Sequence, residues 1–171
     1  MTWPKFPIKP SETSVFIYDP LNRLIEVTSK KKKVSFVYDP LDRRLSKVVY
    51  APTALGWKEM ARENYLYHGQ NEIGAFTSQG TSKNLRVLGL AKYKNSPASI
   101  GIELEGQISA HILNVQGNIR RLVDLNSRTV ASSYEFTAFG EELAGNPEET
   151  FNPWRFASKR FDPELNLIYF G

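Results

Sequence analysis

Side chains that could perform nucleophilic, acid–base or metal chemistry are sparse in this sequence. There is no cysteine, so a thiolate metal site and a disulfide framework are both excluded. The only histidines are His68 and His111, which lie far apart and have no pattern of partner residues. Such histidines are more often turn or strand-surface residues than catalytic groups. Nucleophile elbows, phosphate loops and metal-ligand spacings are also missing, so we predict no catalytic, cofactor-binding or metal-binding residues and no enzyme activity.

Acidic residues occur in two settings, and neither of them indicates catalysis. The adjacent pairs Glu141-Glu142 and Glu148-Glu149 stand among glycine and proline residues. They could serve as acid–base groups or calcium ligands, but solvated loop carboxylates are the more common case. Asp19, Asp39 and Asp162 each follow an aromatic residue and precede a proline, so the capping of a turn explains all three together.

Positive charge is concentrated in one short run. The net charge is +4, and much of the basic excess of the first half comes from Lys30, Lys31, Lys32 and Lys33. Such a run can bind phosphate groups or anionic lipid. A solvated turn between strands is favoured, because the lysines are not interleaved with aromatic residues as in a single-strand nucleic-acid groove. We therefore expect no nucleic-acid partner.

Aromatic residues recur at equivalent positions of a repeated pattern. Tyr18, Tyr38, Tyr67 and Phe136 could form a ladder on which sugars or bases stack. They could also pack between strands, where each aromatic cross-strand pair adds roughly 0.2 to 1 kcal/mol of stability. Packing is the favoured interpretation. It requires the rings to be buried, whereas a stacking ladder requires them to face solvent.

Length and composition indicate a globular domain with a real core. The chain has 171 residues, of which 41% are hydrophobic and 23% charged, which excludes a charge-rich disordered tail or a collagen-like repeat. No apolar run approaches the roughly 18 to 20 residues that a membrane-spanning helix needs. Pro4, Pro7 and Pro10 oppose an opening helix, and no signal peptide is predicted, so the localisation stays open.

The strongest pattern is an internal repeat. The stretch from Phe16 to Leu24 reads FIYDPLNRL, and the stretch from Phe36 to Leu45 reads FVYDPLDRRL. Phe, Tyr, Asp, Pro, Leu and Arg match without a gap. Alternating aromatic and β-branched residues before the proline predict a strand, and Asp-Pro is the preferred start of a type I turn. Asn22 and Asp42 follow, and both tolerate a left-handed backbone.

The same strand–turn–strand pattern recurs more loosely along the rest of the chain. Its further copies lie at 65–73, where His68 takes the place of the aspartate, and at 112–120, 134–140 and 161–170. A helical period is not convincing anywhere, although Trp57 to Tyr65 could form two helical turns at most. The sequence therefore predicts an all-β chain of short hairpins stacked side by side.

These residues resemble the tyrosine–aspartate (YD) repeats of Rhs proteins, the rearrangement-hotspot family, which includes polymorphic toxins. Asn22 and Asp42 stand where the family usually has glycine. The last third resembles the opening of the Rhs-associated core, and the motifs that carry this likeness are GNIR at 117–120, TAFGE at 137–141 and NPWRFASKRFDPELNLIYFG at 152–171.

The resemblance implies a fold and a function. It implies a proline-rich tail at 1–14, YD-type hairpins at 15–111 and a truncated Rhs-associated core segment at 112–171. In the family such hairpins form a curved antiparallel sheet, the wall of a shell that encloses a C-terminal toxin. The expected function is thus a non-catalytic shell segment without the toxin or the cleavage motif. The alternative is a β-sheet module that binds a glycan or a protein through the repeat aromatics.

The resemblance also implies partners, namely the rest of an Rhs shell or a toxin domain. Family members are often exported or at the cell surface. The last strand, Leu167 to Phe170, is apolar, β-prone and uncharged, which is typical of an aggregation-prone edge. We therefore expect self-association through this strand, whereas the N-terminal prolines would blunt the opposite edge.

Overall fold

The computed structural model describes residues 13–93, 96–144 and 151–170, and these are nearly all β. Within them the secondary structure consists of strands and a single 3-10 turn, Phe156–Ser158. The strands are β1 Val15–Tyr18, β2 Leu24–Thr28, β3 Lys33–Tyr38, β4 Arg44–Thr53, β5 Gly56–His68, β6 Asn71–Phe76, β7 Ser82–Tyr93, β8 Ser96–Leu104, β9 Gln107–Leu113, β10 Ile119–Asp124, β11 Val130–Ser133, β12 Glu135–Phe136, β13 Glu142–Ala144, β14 Arg160–Asp162 and β15 Leu167–Tyr169.

The first eleven strands form one sheet in which spatial order equals sequence order, from β1 at one edge to β11 at the other. Strands β12 and β13 form a second hairpin, and β14 and β15 a third. Each pair with a defined register is antiparallel. The prediction of an all-β fold built from repeated hairpins in an antiparallel sheet is confirmed.

Five turns in the described part of the chain share one backbone geometry. In each, the N–H of the first residue donates to the carbonyl of the fifth, and the N–H of the fourth donates to the carbonyl of the first. The fourth residue has a positive φ, which asparagine, aspartate and glycine tolerate best. The five turns begin at Asp19, Asp39, Thr77, Asn114 and Thr137, and their fourth residues are Asn22, Asp42, Gly80, Gly117 and Gly140.

A side-chain oxygen at the first position closes each of these turns. In the second turn, Asp39 Oδ1 accepts from the N–H groups of Leu41 (2.8 Å) and Arg43 (3.0 Å). Asn114 Oδ1 accepts in the same way from the N–H groups of the residues two and four positions further along the chain. Thr137 Oγ1 accepts from the equivalent two N–H groups of its own turn. The predicted turn capping by aspartate is therefore seen at Asp19 and Asp39, whereas for Asp162 it stays a prediction. The sequence pattern did not reveal that threonine takes the same place.

The chain divides into two compact units, residues 1–62 and 63–171, with the boundary inside β5. In the first unit the buried side chains are Val27, Val34, Phe36 and Val48, which come from three successive strands. In the second unit the core contains Ile102, Leu104, Ile119, Leu122, Tyr134 and Trp154. Val34 and Phe36 of β3, and Ile102 and Leu104 of β8, alternate along their strands, as the period of two requires.

Within the first unit, Arg23 connects two consecutive turns. Its guanidinium pairs with Asp19 of its own turn at 2.6 Å, and this contact lowers the pKa of Asp19. The same group donates to the carbonyl of Asp39 and to Asp42 Oδ1, both at 3.0 Å. It also lies 5.2 Å from the ring centre of Tyr38. Arg23 therefore sets the spacing of neighbouring hairpins as well as closing its own turn.

Two local interpretations from the sequence need correction. Trp57 to Tyr65, considered as two helical turns, lies within strand β5, because pairing in the sheet overrides the helix-favouring charged residues of this stretch. His68 does not cap a turn as aspartate does. It pairs in register with Asn71 across a shorter turn, in which Gly69 has a φ of 60°.

The lysine run forms the turn between β2 and β3, as favoured from the sequence. The N–H of Ser29 donates to the carbonyl of Lys32, and Ser29 Oγ accepts from the N–H groups of Lys31 and Lys32. The last lysine of the run, Lys33, begins β3, where its ammonium lies 3.6 Å from Glu26. The run therefore serves as a hairpin connection.

Only the C-terminal end of the chain can be compared with the expected edges. The N-terminal prolines lie outside the described residues, and β1 is an edge strand whose four side chains are all exposed. At the other end, Leu167–Tyr169 is already paired with Arg160–Asp162. The premise that the last strand is unpaired was therefore wrong, because the Asp162 turn folds it back on its own neighbour.

The turn geometry predicts the effect of changing Asn114. Asn114→Ala removes the acceptor of two backbone N–H groups and is expected to destabilise by about 1 to 3 kcal/mol. Asn114→Asp keeps the acceptor that Asp19 and Asp39 provide, so its stability should stay close to that of the wild type. Urea unfolding compares the two, and equal losses would contradict the proposed role of the side-chain oxygen.

Self-association through the last strand stays a prediction, now limited to the edge of β15 that does not pair with β14. Leu167 and Phe170 remain exposed beside this edge. Size-exclusion chromatography should show oligomers that Ile168→Lys shifts toward monomer, because a charge opposes edge pairing. A monomer at high concentration, unchanged by that substitution, would contradict this expectation.

Candidate functional site: a cationic cluster under the C-terminal segment

The C-terminal segment, residues 151–170, covers one face of the sheet in the second unit. Trp154 is its anchor, because its side chain is 0% exposed and packs in the core with Ile102 and Leu122. Asn152 Oδ1 accepts from the N–H of Trp154 at 3.0 Å and holds the backbone that presents the indole. A fully buried tryptophan makes this segment part of the core rather than a loose tail.

Backbone and side-chain hydrogen bonds fix the segment to the start of β10. The N–H of Ile119 donates to the carbonyl of Arg155 at 3.0 Å. The N–H of Ala157 donates to Asn118 Oδ1 at 2.7 Å, and Ser158 Oγ donates to the carbonyl of Gly117 at 2.9 Å. The Asn114 turn therefore does more than reverse the chain, since its last two residues are the docking point.

A buried ion pair lies under the segment. Arg160 Nε donates to Glu72 Oε1 at 2.6 Å, and Arg160 Nη2 donates to Asn84 Oδ1 at 2.8 Å. Arg160 is only 3% exposed. Burial by itself would lower the pKa of Arg160, but the charge of Glu72 and its hydrogen bond raise it on balance. Arg160 therefore stays charged, and its contacts link β6 and β7 to β14.

Arg86 on β7 is the second cation of the cluster, and it is half-buried. Its Nε donates to the carbonyl of Glu72 at 2.6 Å, and its Nη1 donates to the carbonyl of Ser158 at 2.9 Å. Burial lowers the pKa of Arg86 to about 10, so it is still charged at neutral pH. The guanidinium carbons of Arg86 and Arg160 lie 4.8 and 4.9 Å from the Trp154 ring, which both cations contact.

His111 on β9 lies on the same buried face. It is 9% exposed and in register with Leu122. Burial, and next the charge of Arg86, lower its pKa to about 4, which the nearby Ser99 backbone opposes only in part. The imidazole is therefore neutral at pH 7.

The charged side chains of this cluster hold distant parts of the chain together. The described contacts of Arg86, Arg160 and Glu72 lead to protein groups, and they tie the C-terminal segment to two strands. Among residues 13–93, 96–144 and 151–170, no three metal-ligating side chains lie together. In the same part of the chain, no helix has the length and apolarity to cross a membrane.

Residues singled out from the sequence are not brought together. His68 is exposed at a turn, and Glu142 forms an ion pair with Arg155. Glu141 is exposed, and its carbonyl closes the Thr137 turn. The pair Glu148-Glu149 lies outside the described residues. His68, Glu141 and Glu142, which the structure describes, therefore do not form a common site.

The repeat aromatics also do not form one row. Tyr18 is 53% exposed at the edge strand, whereas the hydroxyl of Tyr38 donates to the carbonyl of Leu24 at 2.9 Å. The hydroxyl oxygen of Tyr67 is buried. Phe136 belongs to the separate β12–β13 hairpin and contacts Tyr134 and Phe156. Internal contacts thus account for three of the four rings.

The sequence analysis did not single out the buried cluster. Arg86, Arg160 and Glu72 are scattered through the chain, and charged residues are seldom buried unless they are paired. The one available signal was the alternation of tryptophan, phenylalanine and basic residues in WRFASKRF at 154–161, which is typical of rings stacked with cations.

Comparison with solved structures shows the fold. The chain superposes with a TM-score of 0.65 and 16% identity on a crystal structure of TcdB2-TccC3-TEV, over 92% of this chain and 8% of that one. It matches TcdB2-TccC3-Cdc42 with a TM-score of 0.64 and 15% identity, over 92% and 8% of the two chains. It matches a structure of the Tc holotoxin pore of Photorhabdus luminescens with a TM-score of 0.62 and 13% identity, over 92% of this chain and 8% of that one.

These neighbours are much longer proteins, since this chain spans about 8% of their length. No family model and no curated protein matches the sequence. At identities this low the likeness shows a shared fold. The described part of this chain is therefore folded like a segment of the TcdB2-TccC3 chains of Tc toxins.

The buried ion pair predicts a large effect of changing Arg160. Arg160→Met leaves Glu72 without its partner and should destabilise by about 3 to 5 kcal/mol, and Glu72→Gln in the same chain should restore part of this loss. Arg62→Met, which removes the exposed pair with Glu59, should leave the urea midpoint nearly unchanged. Similar losses for Arg160→Met and Arg62→Met would contradict the importance of the cluster.

Proposed function

We propose that this chain is a non-catalytic structural segment of an Rhs/YD-repeat shell. One observation carries the proposal: an eleven-stranded sheet in strict sequence order, joined by recurring Asp-type turns, superposes over 92% of the chain on a toxin chain. A wall of this kind needs strands that repeat, turns that keep them in register and neighbours on both edges.

The internal contacts of the turns support a wall-forming role. Arg23 spans from one turn to the next, so each hairpin sets the position of its neighbour. The C-terminal segment covers one sheet face and buries Trp154 there. In the proposed shell, the chain's partners are the other shell hairpins and a toxin domain enclosed by them.

The coding sequence on both sides of this chain tests the proposal. We expect further hairpins with an Asp-x-x-x-Arg turn upstream, and a cleavage motif followed by a variable domain downstream. Cryo-electron microscopy of the contiguous polypeptide should show the sheet continuing beyond β1. Flanking regions without repeats, or a β1 edge that remains free in the complete polypeptide, would contradict a shell segment.

A ligand titration distinguishes the shell segment from a binding module. Because the Tyr38 hydroxyl and the Arg23 guanidinium are occupied within the chain, we expect no shift of tyrosine NMR signals when an oligosaccharide panel is added. Saturable binding that Tyr18→Ala abolishes and Tyr38→Phe preserves would favour a glycan-binding surface at the exposed edge instead.

A further inference from the structure

Two consecutive hairpins of the first unit are linked through one arginine. Arg23 reaches beyond its own turn and donates to the carbonyl of Asp39 and to Asp42 Oδ1, both at 3.0 Å. Its guanidinium carbon lies 5.2 Å from the ring centre of Tyr38, and the hydroxyl of that ring donates to the carbonyl of Leu24 at 2.9 Å. The second turn therefore receives both the arginine of the first turn and the backbone carbonyl that follows it.

The first turn offers the same receiving groups. Both turns make the same two backbone hydrogen bonds, and their fourth residues, Asn22 and Asp42, have φ angles of 62° and 63°. The carbonyl of Asp19, the Oδ1 of Asn22 and the side chain of Tyr18 thus correspond to the groups that receive Arg23 one hairpin later. Within the described part of the chain, no side chain donates to either of these two oxygens, and Tyr18 is 53% exposed.

The strand beside these groups is open on one side. β1 pairs with β2 alone, and its four side chains are all exposed, whereas Tyr38 on the interior strand β3 is half-buried. An edge strand presents unpaired backbone groups to an incoming strand, and side-chain contacts then decide which strand is accepted. A carbonyl and an amide oxygen beside an aromatic ring suit a guanidinium, which combines several N–H donors in one plane with a face that stacks on rings.

We propose that β1 and the Asp19 turn bind a further repeat hairpin that carries arginine at the fifth position of its turn. The second strand of that hairpin pairs with β1 as β2 pairs with β3. Its arginine donates to the carbonyl of Asp19 and to Asn22 Oδ1 and covers the ring of Tyr18. The Tyr18 hydroxyl donates to the backbone carbonyl that follows this arginine. The inference rests on the proposed shell, because it names the hairpin that β1 accepts and the atoms that select it.

Two other occupants of this edge fit less well. Residues 1–12 contain no arginine, so they cannot supply the guanidinium. In a second copy of the chain, Arg23 is already engaged with Asp39 and Asp42. Pairing of two β1 edges would therefore leave the acceptors at Asp19 and Asn22 unused.

The experiment is an NMR titration of the isotope-labelled full chain with a cyclic peptide. The peptide copies residues 13–29 and is closed by D-proline and glycine, so that it is held as a hairpin before it binds. We expect saturable shifts of the backbone signals of Val15 to Tyr18 and of the side-chain amide of Asn22. The signals of β9 and β10 should stay in place.

Matched variants of the full chain assign the binding to the proposed atoms. Asn22→Gly keeps the left-handed turn but removes the acceptor, and it should weaken binding about tenfold, whereas Tyr18→Phe should weaken it about fivefold. Leu21→Ala is the control and should bind like the wild type, because the equivalent Leu41 remains 58% exposed beside a complete link. A peptide with citrulline, which is uncharged, in place of its arginine should bind more weakly than the original.

The proposal is overturned if the wild type does not bind the peptide, if the shifts lie away from β1, or if the variants and the citrulline peptide bind as the originals do. A chain that dimerises through β1 instead would also overturn it. The coding sequence on both sides of the chain tests the shell itself. Flanking repeats together with a failed titration would therefore refute this inference and leave the proposed function standing.

A tandem chain covers the case in which the cyclic peptide does not hold its hairpin. Residues 13–32 are duplicated ahead of Thr13, so that the lysine turn connects the copy to β1 as it connects β2 to β3. Asn22→Gly in the original repeat should then lower the urea midpoint, although the same substitution leaves the midpoint of the natural chain nearly unchanged. Equal effects of Asn22→Gly in the two chains would overturn the proposal.

Discussion

Closure of a five-residue turn by the first side chain is the constraint on which the rest of this structure depends. An oxygen at position one accepts from backbone N–H groups that would otherwise lack partners, and the fourth residue adopts a left-handed backbone. Each such turn fixes the register of two strands, and that register decides which side chains face the core. Turns of this kind connect β1 to β2, β3 to β4, β6 to β7 and β9 to β10 in a sheet whose strands lie in sequence order.

Charged residues take part in the core because the apolar clusters are small. In the first unit, Arg44 lies 4.1 Å from the ring of Phe36, so a guanidinium covers an aromatic face that a second layer would cover in a sandwich. In the second unit, Arg86 and Arg160 do the same for Trp154. The carboxylate of Glu72 supplies the counter-charge of the buried Arg160.

The C-terminal segment that covers one sheet face relates the fold to the proposed function. A shell wall needs stable hairpins. It also needs a stretch of chain that either caps the last strand of the stack or leads on to the next part of the polypeptide. Trp154 makes the C-terminal segment part of the core, and the hydrogen bond from Arg86 to the carbonyl of Ser158 ties it to β7.

The sequence alone determined the local geometry. Asp-Pro at 19–20 and 39–40, followed by Asn22 and Asp42, defined the turns, because the chemistry of a turn is contained within five neighbouring residues. The alternation of residues before each turn determined the strands, and together these gave the all-β class. The turns at Thr77 and Thr137 were harder to predict, since a threonine hydroxyl replaces the aspartate carboxylate there.

Only the tertiary structure decided what the charged residues do. Glu72, Arg86 and Arg160 are far apart in sequence, and only Arg160 lies in a local pattern that hints at its role, the alternation of rings and basic residues at 154–161. Their burial depends on which strand faces carry them and on the segment that folds over those faces. The same holds for Trp57 to Tyr65, where neighbouring strands outweighed helical preference, because pairing energy comes from residues that are distant in the chain.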